Sequence, residues 1–323
     1  MSGKVITRRE FLKMMGASSL LVSLPMSEGC LVQQTVKVSL VKDTDDSYAL
    51  KRAIEMVGGL DFLKPGDSVL LKPAINSSNP FPATTSPLIV SELISLLKDK
   101  RVGDIFLGDR SPVVRDTMYC MQETGIYQAA IDGGAEVVVF EDDDMVHVEP
   151  EPAIHWPEGF SIPHLFNQVD HIIALPRLST HLMSGFTMGL KIFVGAIPPD
   201  ERWQMHLSSD FLKCLAEIAL CTDKIRLSIL DARQGFSEGG PDEGTSITPG
   251  IIIASKNLVA ADAVGLALLK TIGTTSELMN TRVWEHPTIE RGVEVFHPSL
   301  TLETMDLRWE NIENMDEIRE QLL

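Results

Sequence analysis

From residue 36 to residue 271 the sequence alternates between short, unbroken apolar runs and longer stretches with helical spacing. That alternation constrains the fold more than anything else in the chain. The runs predict strands over 36–41, 68–72, 104–107, 136–140, 170–175, 224–230 and 250–255. Between them, apolar residues recur at three- and four-residue intervals over 45–57, 86–98, 115–131, 184–194, 209–221 and 257–271, which predicts helices. A strand that is apolar at nearly every position has no wet face, so its sheet must be covered on both sides. Repeated strand–helix units supply that cover and bring the strands in parallel. The expectation is an α/β fold with a mostly parallel sheet and helices on both faces. It is predicted as a single domain over 36–308, followed by a C-terminal helix over 309–323. The rhythm breaks near 141–168, an acidic, proline-rich stretch carrying His147, His155 and His164. This is predicted as a long irregular excursion with room for one hairpin, and its length makes it a candidate lid. After Glu285 the pattern predicts one or two helices and a weak strand near Leu300.

In an open sheet of this kind, ligands bind outside the carboxyl ends of the strands. Polar residues gather just there: Lys72, then Asp109 with Arg110 and Ser111, then Arg177, Ser179, Thr180 and His181, then Asp231. Any one of them is more simply a turn or cap residue; several endings of the same kind point to a shared cleft. The richest stretch, 170–206, continues into a predicted helix carrying Lys191, then Arg202 and His206. Gly189 and Gly195 flank Lys191, favouring close packing of that helix. A second stretch, 231–244, holds Gly235, Gly239, Gly240, Pro241 and Gly244 and is read equally as a loop that approaches a ligand closely or as a structural turn between two strands. It lacks the spacing of a dinucleotide site or a P-loop. His181, His206 and Asp109 are the candidate catalytic groups, as general acids or bases. Lys72, Arg177, Lys191, Asp231, Glu238 and Gly240 are the candidate binding residues. His181, Lys191 and His206 are expected to face one cleft with Lys72, Asp109 and Asp231.

The net charge is −17, from 45 acidic and 28 basic residues. Nucleic acid is excluded as a partner on that ground, since it needs a basic face. A small anionic molecule is not, because a local cationic pocket can sit in an acidic protein. Beyond Cys30 only Cys120, Cys214 and Cys221 occur, with no C-x-x-C, so no iron–sulfur cluster is expected and the identity of any cofactor stays open. Five of the eight histidines fall between His147 and His181 with spacings that fit no local metal motif, and no metal site is assigned. G-x-S-x-G is absent, against an ordinary acyl-transfer hydrolase. Oligomeric state is not readable from these features.

The first 29 residues are predicted as a signal peptide. Thr7-Arg8-Arg9-Glu10-Phe11-Leu12-Lys13 matches a twin-arginine signal, and the apolar stretch from Met14 to Leu24 is too short and too polar to span a membrane. The expected partner is therefore the twin-arginine translocation machinery, and the expected location periplasmic or otherwise extracytoplasmic. Small residues at Ser27 and Gly29 suit cleavage before Cys30. Ser27 and Glu28 suit a lipid-attachment motif poorly, so a lipid anchor at Cys30 is not the expectation.

Taken together, Val69-Leu-Leu-Lys72-Pro, Thr84-Thr85-Ser-Pro87, Gly108-Asp109 and Leu175-Pro176 through Thr180-His181 resemble the family catalogued as domain of unknown function 362. So do Thr187, Gly189-Leu190-Lys191, Gly195, Asp231, Gly239-Gly240-Pro241, Gly244 and Ala260-Ala261-Asp262-Ala263. The resemblance covers roughly 36–271. Three positions depart from the family pattern: Ala74 replaces Asn, Ser179 replaces Lys, and Ile192 replaces Asn. Many relatives also carry a Cys-rich ferredoxin module, for which this sequence has no cysteines. Three functions compete. The first is an exported enzyme acting on a small anionic metabolite. The others are a periplasmic binding or accessory protein without turnover, and a redox relative lacking its iron–sulfur module.

Overall fold

The computed structural model describes residues 35–323. The twin-arginine motif and Cys30 lie outside the described residues. Among the described residues thirteen strands form in chain order. β1 (Val36–Lys42), β2 (Val69–Pro73), β3 (Ile105–Asp109) and β4 (Glu136–Val139) come first, followed by the hairpin β5 (Met145–Val148) and β6 (Phe160–Pro163). β7 (His171–Leu175), β8 (Arg177–His181) and β9 (Gly185–Thr187) precede β10 (Ile225–Gly239), β11 (Gly244–Ile247), β12 (Ile251–Ser255) and β13 (Met305–Glu310). The main sheet runs β13–β1–β12–β10–β7–β2–β3–β4. Along it every strand shares one direction except β12, which is antiparallel to both β1 and β10. The mostly parallel α/β architecture is therefore the one the apolar runs dictate.

Alternation within each strand feeds two cores. In β7, Ile172 and Ala174 enter one, while Ile173 and Leu175 enter the other. Helices α1 (Asp46–Met56), α2 (Pro87–Asp99), α3 (Thr117–Glu123) and α4 (Ile126–Gly133) cover the second face. The short α5 (Leu165–Gln168) and α6 (Pro199–Leu207) precede α7 (Phe211–Ile218), α8 (Leu258–Ile272), α9 (Ser276–Asn280), α10 (Pro287–Phe296) and α11 (Met315–Glu320), and these seal the first face. Helix α8 is apolar all round because it is buried on nearly every side. Its start is fixed by Asn257, whose side chain accepts from Ala260 N at 2.9 Å. Among the described residues, no helix is long and apolar enough to cross a membrane.

Four expectations need correction. The 184–194 helix does not form: β9 ends at Thr187 and a 3₁₀ helix runs over Lys191–Ala196. Gly185 at φ +71°, with Gly189 and Gly195 close behind, makes a continuous α-helix costly there. The 231–244 stretch is a turn between two strands rather than one long loop, because β10 continues through it to Gly239, reverses over 240–243 and returns as β11. The 141–168 excursion is not a lid. It contributes the β5–β6 hairpin and buries Trp156, Phe160, Ile162 and Phe166 in the core. Finally, β13 pairs in parallel with β1 and carries the sheet past residue 308, while Ile318 and Leu322 pack into the same core.

Candidate functional site

The chain leaves β2 to build β3 and β4 on one side, then returns to lay β7 on the other. Such a reversal opens a crevice at the strands' carboxyl ends, and here it holds a cavity of about 510 Å³. Residues following β2 (Ala74 to Asn76), the end of β3 (Asp109, Arg110) and Pro176 after β7 line it. The 3₁₀ helix and α6 complete the wall.

Beneath the cavity lies a buried ion pair. Lys72, with no exposure, donates to Asp109 Oδ1 at 2.5 Å and to Pro73 O at 2.9 Å. Asp109 Oδ1 also accepts from Arg110 N, and Oδ2 from Ile75 N, at 2.8 and 2.7 Å. Burial pulls the Lys72 ammonium below its ordinary value, and Asp109 opposes that pull. The 3₁₀ helix crosses this pair so closely that a Cβ on Gly195 would stand 2.0 Å from Asp109 Oδ1 and 2.8 Å from Lys72 Nζ. Gly195→Ala is accordingly expected to cost about 1–3 kcal/mol of stability. The readout is a lower urea midpoint at unchanged slope. Wild-type stability in that variant would mean the helix lifts off the pair freely.

The walls are cationic and poorly paired. Arg177, 2% exposed, donates from Nη2 to Pro241 O at 3.0 Å, while its Nε and Nη1 have no hydrogen-bond partner. Burial lowers it to about 10, so it stays charged at neutral pH, and Asp242 pulls the other way from beyond ion-pair distance. Arg110 Nε and Nη1 likewise lack a hydrogen-bond partner, but Glu141 stands 3.8 Å from Nε and pairs its charge. Arg202 differs, because its nitrogens donate to the carbonyls of Ile197, Ser111 and Arg110 at 2.8–2.9 Å and tie α6 to the strand ends. Lys191, at the start of the 3₁₀ helix, lines the cavity. Burial and the Arg177 charge hold its pKa well below the usual lysine value.

The two histidines differ in which ring nitrogen carries the proton. His181 Nδ1 accepts from Met183 N at 3.1 Å, so its proton sits on Nε2. Burial, with Lys191, Arg177 and His206 adding positive charge, lowers its pKa to about 2 and keeps the ring neutral. His206 Nδ1 lies 2.6 Å from Arg202 O, a carbonyl that can only accept, so Nδ1 carries the proton and Nε2 is free to accept one. One ring thus offers a donor and the other an acceptor to the same cavity.

Of the sequence-derived candidates, Asp109, Arg177, His181, Lys191 and His206 line this cavity, with Lys72 directly beneath. Gly240 packs against Thr180 O, where a Cβ would approach to 2.2 Å, and sets the neighbouring Pro241 into the wall. Asp231 and Glu238 stand elsewhere. Since β10 does not end at Asp231, alternation turns its side chain to the face of Leu227 and Ile229, where it pairs with Arg233 at 2.7 Å. Glu238 is exposed on the same strand. Sequence reasoning placed Arg110 and Arg202 in the polar clusters without giving them a role, and gave none to Asp262. Arg202 stands one helical turn before His206, a spacing that links them. Asp262 was visible as the lone acid in the apolar run of α8. It is fully buried, accepts from Gly189 N and Leu190 N at 2.7 and 2.8 Å, and so fixes the backbone presenting Lys191. Burial pushes its carboxyl up to about 7. Among the described residues, no group of three or more His, Cys, Asp and Glu side chains is arranged to hold a metal ion.

A family model described as Domain of unknown function (DUF362) matches residues 69–267. The chain belongs to the DUF362 family. The DUF362 match takes in Lys72, Asp109, Arg177, His181, Lys191, His206 and Asp262, hence the whole cavity floor and its cationic wall. Of the departures from the family pattern, Ala74 and Ile192 line the cavity and make it more apolar, while Ser179 is buried and bonds to Thr180 O. A thylakoid-associated protein of Synechocystis sp. is 29% identical over 231 residues, with 67% of each chain covered. Among solved structures, the lactate racemase apoprotein of Thermoanaerobacterium thermosaccharolyticum matches at a TM-score of 0.45 and 16% identity. That match takes in 70% of this chain and 56% of the racemase.

Proposed function

We propose that this member of the DUF362 family binds a small organic anion in the cavity and acts on it by proton transfer. Arg177 carries the reading. A buried guanidinium with two nitrogens lacking acceptors is costly unless a bound carboxylate or phosphate completes it. Ile75, Met188 and Val194 line the same cavity, and exposed Met183, Trp203 and Leu207 rim it. The favoured ligand therefore has an apolar body behind its charged group. His206 Nε2 serves as base, and His181, held neutral, donates a hydrogen bond to a developing negative charge.

Titration with inorganic phosphate, sugar phosphates, and 2-hydroxy and 2-oxo carboxylates tests the reading. At least one organic anion is expected to bind and to raise the melting temperature, by about 2.7 kcal/mol of stabilisation at a hundredfold excess over Kd. Solvent deuterium uptake by the bound compound is expected in the wild type and not in His206→Gln. If no anion binds, the reading fails; binding without exchange leaves a binding protein rather than an enzyme.

The motif at Thr7 to Lys13 supports an extracytoplasmic location, reached by twin-arginine export. Arg8→Lys with Arg9→Lys is expected to retain the chain in the cytoplasm of a twin-arginine-competent host. Unaltered fractionation of that variant would remove this part of the proposal.

A further inference from the structure

Three buried or nearly buried lysines have different surroundings. Lys72 bonds Asp109 and Pro73 O, and Lys270 donates to the carbonyls of Leu278, Met279 and Thr281. Both ammonium groups are thereby accounted for as structural. Lys191 differs: among the described residues no acceptor lies within bonding distance of its Nζ, no carboxylate pairs with it, and it lines the cavity beside Arg177. Its backbone is held in place by the Asp262 carboxylate through Gly189 and Leu190. A rigidly mounted amine without a counter-ion, facing a ligand cavity, is a nucleophile rather than a fixed charge.

Building on the anion-binding reading, we propose that Lys191 condenses with the carbonyl carbon of a 2-oxo acid whose carboxylate is held by Arg177. The Nζ lone pair attacks the carbonyl carbon, and the C=O π electrons pass to oxygen. A proton moves from nitrogen to that oxygen through His206 Nε2, giving a carbinolamine. Its hydroxyl then takes a second proton, drawn from solvent through His206, and leaves as water while the nitrogen lone pair closes the C=N bond; the iminium so formed returns that proton from nitrogen to give the imine. Carbonyl and amine become imine and water, with no change of oxidation state and no further reactant. Burial and the nearby Arg177 charge, which favour the neutral amine, let this proceed near neutral pH. The imine would make the carbon next to it more acidic, and so coupled to the proton transfer proposed above.

The test is reductive trapping. Full-length protein is incubated at neutral pH with pyruvate or phenylpyruvate, reduced with sodium borohydride, and mapped by peptide mass spectrometry. The expected result is a reduced adduct confined to the peptide bearing Lys191. It should be absent in Lys191→Met and weaker by about tenfold or more in Arg177→Met at subsaturating probe. A probe that binds by calorimetry yet leaves Lys191 unmodified, or labels surface lysines equally, overturns the amine chemistry alone. If no 2-oxo acid binds while another anion does, the substrate class is wrong and the anion site stands. If no anion binds at all, the underlying reading fails too.

Discussion

Lys72→Met is expected to destabilise the protein by about 3–5 kcal/mol, because removing one partner of a buried pair strands the other charge. Asp109 would keep its two backbone donors from Ile75 and Arg110. It would lose the one cation that, among the described residues, pairs with it. The Gly195 backbone crosses so closely that the helix above cannot settle onto the shorter contact without moving. The cavity floor would therefore shift as well, and ligand affinity should fall with stability. Urea unfolding gives the number, and a loss under about 1 kcal/mol would mean that the pair contributes little beyond its packing. The same change at Lys191 should behave differently. Lys191→Met removes an amine that lines the cavity and that no described carboxylate pairs with, so stability should change little. Two lysines in one molecule thus separate a structural charge from one kept for a ligand.

Arg177→Met is expected to weaken binding of a carboxylate probe by about 2–5 kcal/mol, or roughly 30-fold to several thousandfold. Its single protein bond, to Pro241 O, is a small loss, and two unsatisfied nitrogens leave with it. Folding stability should consequently change little, which distinguishes a ligand contact from a structural one. Calorimetric titration of variant and wild type decides the matter. A Kd within about threefold of wild type would show that Arg177 is not the anion's anchor.

Polar residues placed just after apolar runs pointed to the cavity that the fold forms. Lys72, Asp109, Arg177 and His181 follow or end apolar strands, and parallel strands bring such endings to one edge whatever their order in the sheet. His206 and Lys191 came with them because they follow His181 closely in the chain. The α/β class was equally legible, since a strand apolar on both sides requires cover on both sides.

Tertiary structure decided the rest, for reasons that local sequence does not carry. Where β10 ends depends on the strands beside it, and the two-residue alternation then sent Asp231 toward Arg233 rather than into the cavity. Strand direction is likewise a property of the pair, so β12 reads like its neighbours yet runs against them. The glycines of 231–244 marked a hairpin, because flexible backbone serves a tight reversal as well as a ligand loop. Above all, the chain holds two lysines of similar sequence setting, and only the fold gives one a carboxylate and withholds it from the other. Charge pairing is a long-range contact: Lys72 meets an acid 37 residues away, a neighbour that hydrophobic periodicity cannot name.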